Sequence, residues 1–288
     1  MTVRLSDYVA ARLVRHGVNH VFMLTGGGAM HLNDALGRAE GLRYICCHHE
    51  QALAMAAESY TRLSGRMAAL NVTTGPGGIN ALNGVHGAYT DSIAMIILSG
   101  QVKRETLRSI VPGLRQLGDQ EADIVAMVTP ITKFAALVDD PADIRFLIEK
   151  ALWLAEHGRP GPVWLDIPID VQSAMIDPEA LRGFDPSSED DGRPSPQLLR
   201  AQARQLIALL REARRPVLLP GTGVRIAGAH DLFCTVADRL GIAIAPAWNA
   251  QDVVADDHLL YVGRPGTVGD RAGNFAVQKA DLLVALGC

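Results

Sequence analysis

Two glycine-rich segments and one glutamate have the residue types and spacing to do chemistry. Residues 26–28 read Gly-Gly-Gly, residues 75–78 read Gly-Pro-Gly-Gly, and Glu50 lies between them in the chain. Glycine lets the backbone approach a flat ring closely, because it has no Cβ. A carboxyl group beside such a ring can take part in proton transfer. The three features could therefore line one crevice around a planar ligand.

The predicted secondary structure brings these features to one edge. Glu50 begins a helix directly after a strand at residues 44–47, and the glycine segments follow strands at 21–24 and 67–72. Ligands bind outside the carboxyl ends of parallel strands, where such segments gather. The alternative for Glu50 is a first-turn glutamate that only stabilises the helix dipole, which is worth up to about 2 kcal/mol.

A metal site is the second chemistry to weigh. His48 and His49 precede Glu50, but neighbouring histidines do not point the same way. No other cluster has the spacing of metal ligands. We therefore predict no metal site in this chain.

The fold class follows from the alternation of strand and helix patterns. Alternation through residue 171 predicts an α/β domain with a mainly parallel sheet. Residues 185–197 contain no apolar side chain and cannot enter a core. We predict a domain at 1–171, a linker at 172–197 and a partial Rossmann-like α/β domain at 198–288. The last pattern is a strand at 282–286, so we expect the second domain to be incomplete.

Composition excludes several classes of protein. The chain has 288 residues, 48% hydrophobic and 20% charged, with a net charge of −4. It offers no basic field for nucleic acid, no run of about 18 apolar residues for a membrane helix and no signal peptide at its start. Adjacent Cys46 and Cys47 have poor geometry for a mutual disulfide. We predict a cytoplasmic protein without nucleic-acid or membrane partners.

Several motifs occur in a fixed order along the chain. They are Leu24-Thr25-Gly26-Gly27, Cys47-His48-His49-Glu50-Gln51-Ala52, Ala57-Glu58-Ser59-Tyr60-Thr61-Arg62, Thr73-Thr74-Gly75-Pro76-Gly77-Gly78-Ile79-Asn80, Asp91-Ser92, Ser99-Gly100-Gln101, Pro130-Ile131-Thr132-Lys133, Gly158-Arg159-Pro160-Gly161-Pro162-Val163, Asp166-Ile167-Pro168 and Asp170-Val171. The ordered set resembles the amino-terminal, pyrimidine-binding domain of thiamine-diphosphate-dependent enzymes of the acetolactate synthase type. The resemblance extends through the central domain and covers essentially the whole chain.

The resemblance implies the cofactor thiamine diphosphate and a role for each matching residue. Glu50 would hydrogen-bond the ring nitrogen N1′ of the aminopyrimidine and so activate the cofactor. The residues that would border the pyrimidine are Thr25, Gly26, Thr73, Pro76, Gly77 and Asn80. For Asn80, a helix-capping role is an equal alternative.

The resemblance also implies a 2-oxo acid substrate. Gln101 and Gln120 match positions near the reacting centre, where they would hold a substrate carboxylate or carbonyl. The alternative is an ordinary strand-end or loop amide that hydrogen-bonds the backbone.

The sequence departs from the family in three places. Thr25 replaces a common proline, and Asp119 stands where acetolactate synthases often have phenylalanine, which puts pyruvate-plus-pyruvate chemistry in doubt. The Gly-Asp-Gly motif that holds Mg²⁺ and the diphosphate is absent from this sequence. We therefore expect that site on a missing carboxyl-terminal domain or subunit, and expect this chain alone to be inactive.

The leading hypothesis is that the chain is part of a carboligase or decarboxylase. We expect that enzyme to form a homo-oligomer, a dimer or tetramer. One alternative is decarboxylation or group transfer with another 2-oxo acid, and another is a non-catalytic dimerisation or binding module. A nicotinamide oxidoreductase is disfavoured, because residues 221–223 give only half of a dinucleotide loop. FAD binding by the second domain stays open.

Overall fold

The computed structural model describes residues 1–189 and 192–288 and divides the chain into two units, Met1–Gly192 and Arg193–Cys288. Each unit is an α/β structure built on a parallel sheet, as the sequence predicts. Within the described residues, no helix has both the length and the apolar composition needed to cross a membrane.

The first unit alternates strands and helices. Its strands are β1 (Val3–Arg4), β2 (His20–Met23), β3 (Arg43–Cys46), β4 (Ala68–Val72), β5 (Met95–Gln101), β6 (Phe134–Leu137), β7 (Pro162–Pro168) and β8 (Met175–Ile176). Its helices are α1 (Leu5–His16), α2 (Met30–Arg38), α3 (Glu50–Ser64), α4 (Pro76–Thr90), α5 (Ile124–Val128), α6 (Ile144–Glu156) and α7 (Ile169–Gln172). Short 3₁₀ turns join several of them.

Six strands form one sheet in the order β3-β2-β4-β5-β7-β6, with every neighbouring pair parallel. Strands β4, β5 and β7 are buried along their whole length, because helices cover both faces. One core packs α1, α2 and α6 on the sheet, and the other packs α3, α4 and α5. The short strands β1 and β8 pair antiparallel outside this sheet.

The second unit contains a smaller sheet. Its strands are β9 (Pro216–Pro220), β10 (Ala243–Ile244) and β11 (Leu282–Leu286), and its helices are α8 (Pro196–Glu212), α9 (Gly223–Ile226), α10 (His230–Leu240) and α11 (Arg271–Lys279). The order β10-β9-β11 is parallel throughout. Helix α10 begins at His230, two residues after Gly228, whose φ of 63° turns the chain.

The predicted linker, residues 172–197, differs from the observed division. The structure places residues 172–189 with the first unit: the backbone N–H of Phe184 donates to Glu149 Oε2 at 2.9 Å, and Lys150 pairs with Glu189. Apolar contacts hold the segment as well, because Ile176 belongs to the first unit's core and the Phe184 ring packs against aromatic rings of α6. Residues 190 and 191 of the predicted linker lie outside the described residues.

Candidate cofactor site

Three strand ends meet at one edge of the six-stranded sheet. Strand β2 lies between β3 and β4, so the segments that follow these three strands are neighbours. These segments contain the first glycine run (26–28), the residues that lead into Glu50 (47–49) and the second glycine loop (75–78). The sheet order therefore brings together residues that are up to about fifty positions apart in the sequence.

Glu50 is the first residue of α3 and is partly buried. His49 caps the helix by accepting a hydrogen bond from Gln51 N at 3.2 Å. Asn80, on α4, donates from Nδ2 to Glu50 Oε2 at 2.8 Å. Among the described residues, Glu50 Oε1 has no hydrogen-bond donor. One carboxylate oxygen is therefore anchored while the other is free to bind.

Thr73 packs against a glycine of each segment, Gly26 and Gly77, next to Glu50. A Cβ at Gly77 would lie 3.5 Å from Glu50 Oε1 and 2.9 Å from Thr73 Cγ2. A Cβ at Gly26 would lie 2.5 Å from Thr73 Cβ. The two separations from Thr73 are shorter than real Cβ contacts, so both positions favour glycine.

Thr74 and Gly28 complete the contact between the two glycine segments. Thr73 Oγ1 accepts from Gly28 N at 3.1 Å, and a Cβ at Gly28 would overlap Thr74 Oγ1. Thr74 Oγ1 is buried without a hydrogen-bond partner. Gly77 is itself buried, so the group that this site offers to a flat ring with polar atoms is the free carboxylate oxygen of Glu50.

The remaining predicted ring-bordering residues lie at the mouth of this site. Thr25 is exposed at the corner after β2, and Pro76 is exposed as the first residue of α4. Pro76 and Asn80 also line an open groove of about 980 Å³ along α4. Its other lining residues are Gln51, Ile79, Leu82, Asn83, His86, Gly87 and Ile131.

Gln101 and Gln120 have opposite environments. Gln101 is 3% exposed, and its Nε2 donates to Ala122 O and to Asp166 Oδ2, both at 2.9 Å. Its Oε1 accepts from Val102 N at 2.9 Å. Both amide protons of Gln101 are thus used inside the chain, one on a backbone oxygen and one on the Asp166 carboxylate. Gln120 is exposed and has a φ of 57°, which is strained for a residue with a side chain.

A buried carboxyl group at this edge escaped the sequence analysis. Asp166, on β7, is 2% exposed and accepts from Ser99 Oγ at 2.5 Å, while Ser99 Oγ accepts from Trp164 Nε1 at 2.7 Å. Burial raises the pKa of Asp166 to about 7, although the hydrogen bonds from Ser99 and Gln101 oppose this shift. A single acidic residue inside the apolar run of β7 was the signal available in the sequence.

Two other features weighed in the sequence are a metal site and the half dinucleotide loop at residues 221–223. No group of three or more His, Cys, Asp or Glu side chains within residues 1–189 and 192–288 could hold a metal ion. In the second unit, Gly223 N donates to Gly287 O at 2.9 Å, and a Cβ at Gly221 would lie 2.3 Å from the same oxygen. The half dinucleotide loop therefore packs against the chain's own backbone.

Comparison with known proteins agrees with this organisation. Residues 3–127 match the family model "Thiamine pyrophosphate enzyme, N-terminal TPP binding domain", and residues 203–288 match "Thiamine pyrophosphate enzyme, central domain". Thiamine pyrophosphate is another name for thiamine diphosphate.

Curated relatives carry the name acetolactate synthase. The chain is 33% identical to the acetolactate synthase of Arthrospira platensis, over 96% of this chain and 47% of the relative. It is 35% identical to the acetolactate synthase large subunit of Corynebacterium glutamicum, over 93% of this chain and 41% of the relative. The chain thus spans less than half the length of these relatives. It belongs to the thiamine pyrophosphate enzyme family and carries that family's amino-terminal binding domain and central domain.

Proposed function

We propose that this chain supplies the pyrimidine-binding half of a thiamine-diphosphate-dependent enzyme that ligates or decarboxylates 2-oxo acids, as acetolactate synthases do. The observation that carries the proposal is the pairing at Glu50. Asn80 fixes Oε2, and Oε1 remains free beside Gly77, where a Cβ would lie 3.5 Å from it. This is the arrangement needed to hold a proton on a ring nitrogen.

The residues present fit the cofactor's aminopyrimidine ring. Gly26 and Gly77 would lie against it, Thr73 would fill the space between them, and Thr25 and Pro76 would border its exposed edge. Glu50 Oε1 would hydrogen-bond N1′ of the ring, and Asn80 would keep the carboxyl group from rotating away. When bound, thiamine diphosphate supplies a nucleophilic carbon that adds to the carbonyl of a 2-oxo acid and then accepts electrons from it.

The groups that hold Mg²⁺ and the diphosphate are proposed to lie outside these 288 residues. The support is that the chain spans less than half of its acetolactate synthase relatives. We expect the chain alone not to turn over substrate, and we expect a homo-oligomer, a dimer or tetramer, when the enzyme is complete. The four cysteines are unpaired, which suits a reducing compartment such as the cytoplasm.

The substrate is the least constrained part of the proposal. Asp119 is exposed next to the strained residue Gln120 and puts a carboxylate where pyruvate chemistry favours an apolar wall. A decarboxylase or transferase for a different 2-oxo acid is therefore the second candidate. Comparing turnover of pyruvate with that of larger 2-oxo acids separates the two.

A non-catalytic dimerisation or binding module of the same fold is the other alternative. Exposed Ile79 and the groove along α4 offer a surface for such a role.

FAD binding by the second unit rests on the family resemblance alone. Flavin absorbance of the purified protein tests it.

The deciding experiment pairs Glu50→Gln with an exposed control, Glu179→Gln, in enzyme assembled with a carboxyl-terminal half from the same polypeptide or a relative. Glutamine keeps the shape of Glu50 but cannot hold the proton. We expect Glu50→Gln to lower turnover by about 100-fold or more, with calorimetric binding of thiamine diphosphate and Mg²⁺ retained, and Glu179→Gln to change neither. Equal turnover in both variants would reject the role of Glu50, and absence of cofactor binding would favour the non-catalytic module.

A further inference from the structure

Residues 118–124 lie directly on the second glycine loop. A Cβ at Gly75 would overlap the backbone oxygen of Gln120, at 1.8 Å. The Ile124 side chain packs on Gly78, where a Cβ would lie 3.2 Å from it. The position of this segment therefore sets the space above residues 75–78, next to the proposed pyrimidine site.

The buried carboxyl group of Asp166 is linked to this segment by one side chain. Gln101 Nε2 donates both to Asp166 Oδ2 and to Ala122 O, so the amide bridges the carboxylate and the segment's backbone. Gln101 Oε1 accepts from Val102 N, which fixes which end of the amide points at Asp166. Ser99 occupies the other carboxylate oxygen and receives the indole N–H of Trp164.

We propose that Asp166 acts through Gln101 as a positioning residue, holding residues 118–123 and the strained Gln120 against the glycine loop of the cofactor site. The inference deepens the proposed function and rests on it for the identity of the site. The hydrogen bonds that link Asp166, Gln101 and Ala122 involve only residues of this chain.

The observed hydrogen bonds need two acceptor oxygens at Asp166, which the ionised carboxyl group supplies. Asparagine would keep an oxygen for Ser99 but would present its amide group to the amide group of Gln101. If Gln101 then flipped, its Nε2 would leave Ala122 O and face the N–H of Val102. Either orientation breaks one bond of the bridge. The charge of Asp123 also acts on Asp166 and raises its pKa, and Arg108 approaches Asp123 at 3.7 Å.

The test measures hydrogen exchange of the full chain by mass spectrometry, on peptides covering residues 116–123. We expect Asp166→Asn and Gln101→Met to speed exchange there by about tenfold or more, because the bridge to Ala122 O is lost. Ser99→Ala removes a bond of the same network but leaves the bridge intact. Gln172→Met removes another buried glutamine, which donates to Gly28 O at 2.7 Å rather than to this segment. Both controls should leave exchange at 116–123 within about twofold of the unsubstituted chain.

A spectroscopic readout separates positioning from general loosening. The chain has three tryptophans, so its ¹⁵N-labelled indole resonances are few, and Trp164→Phe assigns the one that contacts Ser99. We expect the Trp164 resonance to titrate with pH in the unsubstituted chain and to be pH-independent in Asp166→Asn. It should keep its hydrogen-bonded position in Gln101→Met.

Three results would overturn the proposal. Unchanged exchange at 116–123 in both Asp166→Asn and Gln101→Met would show that the bridge does not hold the segment. Equal loosening in the two control variants, or a Trp164 resonance that shifts as far in Gln101→Met as in Asp166→Asn, would reduce Asp166 to a general core residue. Failure of the chain to bind thiamine diphosphate would instead contradict the proposed function and leave these exchange results intact.

Discussion

Both units of this protein have glycine-rich segments after strands of their sheets, but the groups that lie beside these segments differ. In the first unit, Gly26 and Gly77 face Thr73 and the free oxygen of Glu50. In the second unit, Gly221 and Gly223 face the backbone of Gly287, which receives a hydrogen bond from Gly223. Glycine after a strand therefore indicates close approach of another part of the chain in both units, and only the first unit adds a carboxylate with a free oxygen beside the glycine.

The polar groups around the loops explain the difference. The first loop lies beside strands that carry Ser99, Gln101 and Asp166 at their buried carboxyl ends, and beside a carboxylate with an unused oxygen. Helix α9, after the second loop, has four residues and carries no comparable side chain in its range Gly223–Ile226. A glycine loop becomes a candidate site when a group such as the free oxygen of Glu50 lies beside it, not because it contains glycine.

The strongest test of this comparison adds a methyl group to each loop. Gly26→Ala would press on Thr73, and we expect thiamine diphosphate affinity of the assembled enzyme to fall by about tenfold or more. Gly221→Ala would press on Gly287 O, and we expect the second unit to lose about 1–3 kcal/mol of unfolding free energy with cofactor affinity unchanged. Calorimetry and urea unfolding measure the two effects. A loss of affinity in Gly221→Ala would break the distinction.

The next effect concerns the anchor of Glu50. Asn80→Ala removes the donor to Oε2, so the carboxyl group can rotate, and we expect turnover in the assembled enzyme to fall by about tenfold. The KM for the 2-oxo acid should change little, because Asn80 acts through Glu50. Asn83→Ala, on the same helix and the same groove, is the matched control. If the two variants had equal steady-state kinetics, the anchor would have no role.

A pH dependence should distinguish the first unit from the second. The pKa of Asp166 is about 7 in the folded chain and about 3.9 in an unfolded one, so between these values the folded state binds the extra proton. The contribution of Asp166 to unfolding free energy is therefore full at low pH and decreases as pH rises from about 4 to about 7, with a slope of at most about 1.4 kcal/mol per pH unit.

Urea unfolding of the unsubstituted chain and of Asp166→Asn across this range isolates that contribution. We expect the difference between the two to shrink or reverse as pH rises. A difference that is constant with pH would show that Asp166 does not titrate in the folded state.

The smallest effect concerns backbone strain at Gln120. Glycine adopts a φ of 57° without a Cβ penalty, but it also makes the unfolded chain more flexible. We therefore expect Gln120→Gly to raise unfolding free energy of the first unit by less than about 1 kcal/mol and to lower turnover in the assembled enzyme. A stabilising variant with full activity would mean that the strain at this residue has no functional use.

Much of the fold could be predicted because it follows local rules. Alternating strand and helix patterns gave the parallel sheet, and strand ends placed Glu50 and the glycine segments on one edge. The linker was harder, since Lys150 and Glu149 hold part of it by polar contacts that composition does not reveal. The hydrogen bonds of Gln101 to Asp166 and Ala122 could not be predicted, because they depend on residues distant in sequence.

The sequence by itself determined the fold class, the family and the residue types at the site, because these depend on periodicity, chain order and motifs. Only the tertiary structure decided which side chains pair. Asn80 meets Glu50 across 30 residues, and Gln101 meets Asp166 across 65. Such partners depend on sheet order and helix packing, which bring together groups that no local pattern connects. The free oxygen of Glu50 and the bridge from Asp166 through Gln101 to Ala122 both result from this packing.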